Sequence, residues 1–198
     1  MKLFGITGGV GMGKSTAGQL LRQRGVEVID TDEISRRLTK PGQPAFQEIV
    51  QRFGAPVVAS DGQLDRAELA QIVFSNQEAR ADLEAILHPR IQAAWQEEVG
   101  KWQRTGCANG AVLIPLLFET GAGSHFDAIV CIACSEASLR QRLAQRGWTE
   151  NQIRQRLAAQ WPVEKKIALS GFVVWTDTTL EAHAAQLERV LLQPPLTS

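Results

Sequence analysis

Eight residues near the amino end have the types and the spacing needed to hold a chain of phosphate groups. Gly8–Ser15 reads Gly-Gly-Val-Gly-Met-Gly-Lys-Ser, which matches the pattern of Gly, four residues, Gly-Lys and Ser or Thr. The glycines allow the backbone N–H groups of the loop to point inward, because Cβ atoms would block that conformation. Lys14 can then reach the β- and γ-phosphates of a nucleoside triphosphate, and the Ser15 hydroxyl can ligate the magnesium that bridges them. The motif therefore predicts triphosphate binding, but it does not identify the group that receives a phosphate.

The residues on both sides of this loop support the prediction. Lys2–Thr7 is a short apolar run that favours a strand, and Thr16–Gln23 brings Leu20 and Leu21 to one face of a helix. A helix that begins near Lys14 adds unpaired N–H donors and the positive end of its dipole. A glycine-rich turn that binds nothing is the alternative interpretation, and the complete motif with both flanks in place argues against it.

Two carboxylates, Asp30 and Asp32, follow the second apolar run, Val26–Asp30. Ligands of an open α/β sheet bind at the carboxyl ends of its strands, which is where these acids are expected. A carboxylate there can take the proton from an attacking hydroxyl or hold magnesium through water. Asp32 can also be a helix N-cap, because Glu33–Leu38 continues as a helical pattern. The two roles are compatible with each other.

A stretch rich in arginine and lysine, Ser135–Leu169, is predicted to form two helical segments. Its basic residues are Arg140, Arg142, Arg146, Arg154, Arg156, Lys165 and Lys166. Arg142 and Arg146 are four apart and share a helix face, and Thr149 with Gln152 matches a capping box. One interpretation is a solvated helix of alternating charge. The other is a phosphate contact, because guanidinium groups meet phosphate oxygens bidentately and stay charged at any working pH.

The elements that must position these residues are five apolar runs separated by helical patterns. The runs are Lys2–Thr7, Val26–Asp30, Ala111–Leu117, Ala128–Cys134 and Phe172–Trp175. They are continuously apolar and do not alternate, which is typical of central parallel strands covered by helices on both faces. Strand and helix in repetition predict an α/β fold with right-handed crossovers.

One interval, residues 34–105, is too long for a simple crossover between two parallel strands. Three helical patterns fill it: Pro44–Val50, Asp65–Phe74 and a long one from Gln77 through Trp102. We therefore expect a helical insert on the core sheet, which is a usual way for a kinase scaffold to gain an acceptor site.

The overall composition argues against several classes of protein. The 198 residues carry 21 Lys plus Arg and 21 Asp plus Glu, so the formal net charge is zero and gives no general attraction to nucleic acid or anionic membranes. The longest apolar runs are far shorter than the roughly 18 to 20 residues needed to cross a bilayer. The chain begins directly with a strand pattern and shows no signal-peptide architecture. We expect a cytoplasmic protein with no nucleic-acid or membrane partner.

The cysteines do not predict a metal or redox site. Three cysteines cannot form a complete disulfide framework. Cys131 and Cys134 form a Cys-x-x-Cys at the end of an apolar run, where an offset of three on a strand would point the thiols to opposite faces. No second pair of Cys or His has zinc-like spacing, so we interpret them as small buried apolar residues.

The combination of motifs resembles the dephospho-CoA kinase family. Gly5–Ser15 followed by Val28–Asp32 is similar to the start of its members, and Leu83–Ile91 is similar to their leucine-glutamate and histidine-proline helix. Ile114–Glu119 resembles their proline-leucine-leucine-phenylalanine-glutamate strand end. Arg142, Arg146 and Gln160 stand where the lid of the family has its arginines and a glutamine. The matches run from residue 3 to about residue 166, in the order and spacing of the family.

The resemblance implies a P-loop NTPase fold: α/β, with a five-stranded parallel sheet, helices on both faces, a helical acceptor-binding insert and a helical lid. We expect a single kinase domain with its core at residues 1–32, 106–135 and 170–198, the insert at about 33–105 and the lid at about 136–169. The implied reaction is phosphorylation of the ribose 3′-hydroxyl of dephospho-CoA, the last step of coenzyme A biosynthesis. ATP and Mg²⁺ are the implied cofactors, and dephospho-CoA is the small-molecule partner.

The resemblance also implies roles for particular residues. Asp32 would activate the ribose hydroxyl, with Lys14 and Arg142 as the other catalytic residues, and Arg142 and Arg146 would close over the ATP phosphates. The implied ATP contacts are Gly9, Val10, Gly11, Met12, Gly13, Lys14, Ser15, Thr16, Arg142 and Arg146, with Ser15 as the metal ligand. The implied acceptor contacts are Thr7, Asp32, His88, Leu117, Phe118 and Glu119. Without the family, His88 would be an ordinary histidine on a helix that stops at Pro89.

Two regions of the sequence depart from the family pattern. Members often carry Asp two residues before the proline of the third strand, where this chain has Leu113. Magnesium would then depend more on Ser15, water and the Asp30–Asp32 pair. Near the last strand, members usually have alanine-aspartate before it and asparagine after it. This chain has Ser170-Gly171 and Thr176 there, in a region that borders the adenine site in the family.

Two other functions are compatible with parts of this pattern. A nucleoside or nucleoside-monophosphate kinase has the same sheet and lid, but it would need neither the long insert nor the Leu83–Ile91 motif. A nucleotide-operated switch needs a water-positioning switch loop, and a GTPase would also need Asn-Lys-x-Asp, which the sequence does not contain.

Overall fold

Five short strands form one parallel sheet in the computed structural model, which describes residues 1–191. The strands are β1 (Lys2–Thr7), β2 (Glu27–Asp30), β3 (Asn109–Leu113), β4 (Ala128–Ala133) and β5 (Phe172–Trp175), in the order β2-β3-β1-β4-β5. Every pairing between neighbours is parallel. The inner strands are buried along consecutive residues, so both of their faces are covered, since successive side chains point to opposite faces. The predicted five-stranded parallel sheet is confirmed.

Nine α-helices and two short 3₁₀-helices belong to the described residues. The α-helices are α1 (Lys14–Arg22), α2 (Thr31–Leu38), α3 (Pro44–Phe53), α4 (Arg66–Ser75), α5 (Gln77–Arg104), α6 (Glu136–Gln145), α7 (Glu150–Ala158), α8 (Val163–Leu169) and α9 (Leu180–Leu191), and the 3₁₀-helices are Ala55–Val57 and Ala122–His125. Residues 192–198 of the predicted core lie outside the described residues. Among residues 1–191 no helix combines the length and the apolar character that a membrane span requires.

The third strand ends earlier than the apolar run predicted. Pairing stops at Leu113, and the Ile114 N–H donates one more bond to the Ile6 carbonyl at 2.8 Å. Pro115 follows, which has no N–H for a ladder bond, and the chain then turns. The extension of this strand to Leu117 was therefore wrong, although the run is buried.

The predicted lid contains three helices and not two. Pro162 is the N-cap of α8 and separates it from α7, because proline tolerates the start of a helix but not its interior. The start of α7 is as predicted: Thr149 accepts from the Gln152 N–H, and the Gln152 side chain accepts from the Thr149 N–H.

The chain divides into two compact units, Met1–Asp30 together with the chain from Val99 onward, and Thr31–Glu98. In the first unit, side chains from the sheet, α1 and α9 share one hydrophobic core, centred on Phe4, Ile6 and Leu187. In the second unit, Ile49 and Val57 are fully buried among apolar residues of α3, α4 and α5.

Helix α5 continues through Pro89, so the long helical pattern predicted from Gln77 through Trp102 is confirmed and the alternative of a helix that stops at Pro89 is wrong. A proline inside a helix removes one backbone bond and costs about 3 kcal/mol. The helix is anchored beside this position, because Arg90 donates to the Ile86 carbonyl and pairs with Glu48, each at 2.6 Å. Apolar packing of Leu83, Ile86 and Leu87 on the same helix also offsets the loss.

Candidate active site

The phosphate-binding loop lies between the end of β1 and the start of α1. Gly8, Gly11 and Gly13 have φ of 142°, 77° and 98°, which side chains rarely allow. A Cβ at Gly8 would lie 2.2 Å from the Ile132 carbonyl oxygen of β4. Gly8 is therefore required by a close approach of two backbones as well as by its own conformation.

Lys14 lies across this loop. Its Nζ donates to the carbonyl oxygens of Gly8 and Gly9, both at 2.8 Å. The next residue, Ser15, is exposed in the first turn of α1, and that turn carries no acidic residue. The positive end of the helix dipole is thus not neutralised from within the turn. This arrangement can bind an anion with fixed N–H donors and one ammonium group.

Two further contacts hold the loop. The Gly9 N–H donates to the Met12 sulfur at 3.2 Å, and Met12 itself is buried. The Val10 N–H donates to Oε1 of Gln160, between α7 and α8, at 3.1 Å. Gln160 was predicted only through the family resemblance, and its contact with the loop is seen only in the structure.

Thr176, just after β5, joins three parts of the first unit. Its buried hydroxyl lies 3.0 Å from the Met12 carbonyl and 3.3 Å from the Ala133 carbonyl, both of which accept from it. Arg142 of α6 donates from Nη1 to the same hydroxyl at 2.8 Å and from Nη2 to the Thr176 carbonyl. The residue that departs from the family pattern is therefore the anchor between the phosphate loop and a predicted catalytic arginine.

The other basic residues of the predicted lid are in unequal surroundings. Arg146 is exposed at the C-cap of α6. Arg140 pairs with Glu136 at 2.9 Å and also with Glu150. Arg154 donates to Asn151 at 3.0 Å. Arg156 stacks over the Trp148 ring at 4.1 Å, and burial lowers its pKa. These contacts are local to the helices, in contrast to that of Arg142.

Asp177 fixes the start of α6. It accepts from the Ser135 hydroxyl at 2.6 Å and from the Ser135 N–H at 2.9 Å, while Ser135 is the N-cap of the helix. The hydrogen bond from the Ser135 hydroxyl is the main cause that lowers the pKa of Asp177. This role was not predicted, because no local signal in the sequence points to a contact across 42 residues.

Glu119 belongs to a buried ion pair that was not predicted. Its Oε1 lies 2.8 Å from Nζ of Lys166 in α8, whose side chain has no exposed surface. The same oxygen accepts from the Trp161 N–H at 2.9 Å. The Lys166 ammonium also donates to the Pro115 carbonyl at 2.6 Å. Oε2 of Glu119 is buried and has no hydrogen-bond partner among the described residues.

The neighbouring predicted acceptor contacts differ in exposure. Thr7 and Leu117 are fully buried, and the Thr7 hydroxyl donates to the Pro115 carbonyl at 3.3 Å. These two side chains therefore belong to the protein interior and present no surface to a ligand in this structure. Phe118 is half-buried.

The second unit carries the two remaining predicted acceptor contacts. Asp32 is exposed in the first turn of α2, which begins at Thr31, directly after β2. Asp32 is therefore a first-turn acid and not the N-cap, because the helix already includes the residue before it. His88 is half-buried on α5.

In the described part of the chain, none of the predicted positions belongs to a group of side chains that could enclose a metal ion. Leu113 is buried and its side chain would lie 2.9 Å from a Cβ at Gly18, so it closes the core there. Cys131 and Cys134 are free and buried, as expected, and burial raises the pKa of Cys131 to about 11. Within residues 1–191 no three His, Cys, Asp or Glu side chains are grouped to hold an ion.

Comparison with known proteins identifies the family. The sequence model of dephospho-CoA kinase matches residues 2–182. The chain is 36% identical to the dephospho-CoA kinase of Bdellovibrio bacteriovorus over 96% of this chain and 95% of that protein. It is 41% identical to the dephospho-CoA kinase of Anaeromyxobacter dehalogenans, over 96% of this chain and 91% of that protein.

Solved structures agree with the sequence relatives. The dephospho-CoA kinase of Campylobacter jejuni has a TM-score of 0.68 at 26% identity and 96% coverage of both chains. The protein TT1252 of Thermus thermophilus has a TM-score of 0.79 at 31% identity, covering 100% of this chain and 98% of the other. Shikimate kinase of Acinetobacter baumannii, at 15% identity and a TM-score of 0.55 over 100% of this chain and 96% of the other, shares the fold alone. The resemblance seen in the sequence is confirmed, and the chain belongs to the dephospho-CoA kinase family.

Proposed function

We propose that this chain transfers the γ-phosphoryl group of ATP to the ribose 3′-hydroxyl of dephospho-CoA, giving coenzyme A and ADP. The observation that carries the proposal is the complete phosphate loop, with Lys14 held across it, in a chain of this family. Phosphoryl transfer requires little covalent chemistry from the protein, so positioning and charge stabilisation are its main tasks.

The loop supplies the phosphate side of the reaction. Lys14 holds two loop carbonyls in this structure, and we expect it to exchange them for β- and γ-phosphate oxygens, because an ammonium binds an anionic oxygen more strongly than a neutral one. Backbone N–H groups of Gly11 and of Gly13 to Thr16, where α1 starts, complete the cradle. The N–H groups of Gly9, Val10 and Met12 are already bonded within this structure.

Magnesium fits this site as an ion shared with ATP. Mg²⁺ is usually held by one or two protein ligands together with substrate phosphates and water, and not by a protein cage. Ser15 offers an exposed hydroxyl beside Lys14, and we assign it as the protein ligand. The ion would neutralise negative charge on the phosphates.

Asp32 is assigned as the base that takes the proton from the ribose hydroxyl. It is an exposed carboxylate two residues after the last residue of β2, at the type of strand end where α/β proteins bind ligands. A carboxylate at this place can accept the proton of an attacking hydroxyl.

Arg142 and Arg146 are assigned to the ATP phosphates. In this structure Arg142 donates to Thr176 from both terminal nitrogens, and we infer that it exchanges this contact for the phosphates when ATP binds. Release on binding ATP would make its phosphate contact conditional on lid closure, which excludes water and limits hydrolysis of ATP. Arg146 is already exposed.

His88, Phe118 and Glu119 are assigned to the acceptor. Oε2 of Glu119 is buried without a partner among the residues described, and an O–H or N–H donor from the acceptor would satisfy it. Thr7 and Leu117 support these residues from the interior, through their buried packing and the hydrogen bond from Thr7 to the Pro115 carbonyl.

The proposal is tested by following ADP release from ATP with dephospho-CoA, AMP, adenosine or no acceptor. We expect turnover only in the reaction that contains dephospho-CoA as acceptor. Phosphorus NMR of the product should show the new phosphate on the 3′-oxygen. Faster turnover with AMP or adenosine would instead identify a nucleotide or nucleoside kinase, and ADP release independent of acceptor would identify a nucleotide hydrolase.

A further inference from the structure

Lys166 is a charged side chain with no exposed surface, and the phosphoryl-transfer scheme above gives it no task. A buried ammonium is costly unless an opposite charge and hydrogen-bond acceptors surround it. Both are present, because its Nζ lies 2.8 Å from Glu119 Oε1 and 2.6 Å from the Pro115 carbonyl. The adjacent Lys165, by contrast, is exposed and rests over the Trp161 ring at 3.2 Å.

The partners of Lys166 lead to the phosphate loop at one of its inner residues. Glu119 Oε1, which Lys166 holds, also accepts from the Trp161 N–H at 2.9 Å. The preceding residue, Gln160, accepts from the Val10 N–H of the loop at 3.1 Å. A displacement of Glu119 would therefore shift the backbone that carries Gln160.

A second contact leads to the start of the loop. The Pro115 carbonyl accepts from Lys166 and also from the hydroxyl of Thr7, the last residue of β1. Thr7 immediately precedes Gly8, whose backbone lies so close to Ile132 that a Cβ there would be 2.2 Å from the Ile132 carbonyl oxygen. Lys166 is thus connected to the loop through two independent neighbours.

We propose that Lys166 is a positioning residue for ATP: with Glu119 it fixes Trp161, and so holds the Gln160 amide on the Val10 N–H and keeps the phosphate loop in its binding conformation. It acts through Gln160 and touches no phosphate. The inference rests on the proposed use of ATP, but not on the identity of the acceptor. Loops held in advance by surrounding hydrogen bonds bind more tightly, because less order is imposed on binding.

The test measures the Kd of a non-hydrolysable ATP analogue by calorimetry. We expect Lys166→Met to raise this Kd roughly tenfold, as for the loss of one positioned hydrogen bond. The KM for ATP should rise in parallel, while kcat at saturating ATP changes less. Lys40→Met is the matched control, since Lys40 is exposed in the other unit, and it should leave the Kd unchanged.

Gln160→Ala decides whether Lys166 acts through Gln160. If it does, the double variant Lys166→Met/Gln160→Ala has the same Kd as the single variant that binds the analogue more weakly, because both changes remove the same contact. The proposal would be overturned if the fold-changes in Kd of the two single variants multiplied in the double variant. An unchanged Kd in a folded Lys166→Met protein would also overturn it.

Removal of one partner from a buried pair can prevent folding. For that case Lys166→Met/Glu119→Gln removes both charges, and we expect it to recover thermal stability while the Kd for the analogue remains raised. Recovery of the Kd together with stability would show a merely structural pair and refute the proposal. Turnover with AMP in place of dephospho-CoA would refute the proposed acceptor but not this measurement, which contains no acceptor.

Discussion

Replacement of Arg142 by alanine tests whether the lid acts on the transition state. In the structure both terminal nitrogens of Arg142 are bonded to Thr176, and we expect its contacts with ATP to replace these bonds. A charge-assisted hydrogen bond contributes about 1.5 to 3 kcal/mol, and the exchange of one such bond for another leaves little net gain in the ground state. The ATP dissociation constant should therefore change by no more than about threefold.

The transition state is different, because negative charge is redistributed over the transferred group after water has been excluded. Loss of one fixed donor at such a place costs about 3 to 4 kcal/mol, which lowers kcat by about 10² to 10³. Arg142→Lys should recover only part of this, since an ammonium lacks the planar fork of the guanidinium. An effect on kcat that exceeds the effect on affinity indicates an interaction made mainly in the transition state.

The assay measures kcat with dephospho-CoA and the Kd of ATP for the same preparations, with the folded fraction determined by thermal melting. Melting matters because Arg142→Ala also removes the Thr176 contact and should lower Tm. Arg154→Ala is the matched control, as Arg154 is exposed and bonded only locally to Asn151 among its described contacts. Equal and small effects of the two substitutions on kcat would refute the reasoning and leave the basic stretch as a solvated surface.

Three further predictions concern single residues. Lys14→Ala should lower turnover by orders of magnitude with the fold retained, since a clamp of this kind contributes about 3 to 4 kcal/mol or more; near-normal turnover of the folded variant, measured by ADP release, would contradict the phosphate-loop assignment. Asp32→Asn should lower kcat by about 10² to 10⁴ with little change in ATP affinity, because the amide cannot accept a proton; a loss of Tm alone would leave Asp32 a purely structural helix-end residue. Asp177→Asn should lower Tm at neutral pH, because hydrogen bonds from Ser135 lower the pKa of the folded-state carboxyl. That stabilisation is present above the ordinary pKa of Asp, about 3.9, and is lost as pH falls through the lowered value. Melting curves of both proteins from pH 7 to pH 2 should therefore converge in acid, and a constant difference would contradict the assignment.

The sequence predicted the sheet well because its signals are local. Continuous apolar runs gave β1 and β5 their observed bounds, and the glycine loop marked the junction of strand and helix. Proline had different effects at two positions. Pro115 ended β3 inside an apolar run, whereas Pro89 did not end α5, because side-chain anchoring and packing offset its cost. Propensity alone cannot distinguish these two outcomes.

The parts of the candidate site that the sequence did not predict depend on contacts between distant residues. Lys166 donates to Pro115 across 51 residues, and Arg142 donates to Thr176 across 34. Lys166 looks like one more surface charge beside Lys165 until the packing of α8 is known. Thr176 looks like a departure from a family pattern, and only the structure shows that it connects the loop to the lid. Such roles are set by tertiary neighbours and not by residue type.

The burial of Cys131 bears on how this protein coexists with its proposed acceptor, which itself carries a thiol. Thiol–disulfide exchange requires a thiolate as attacking species. With a pKa of about 11, Cys131 at pH 7.5 is a thiolate in roughly three molecules of every ten thousand. Oxidised forms of the acceptor should therefore leave this side chain unmodified in the folded protein, so that a thiol-bearing metabolite can be processed without mixed disulfides in the core.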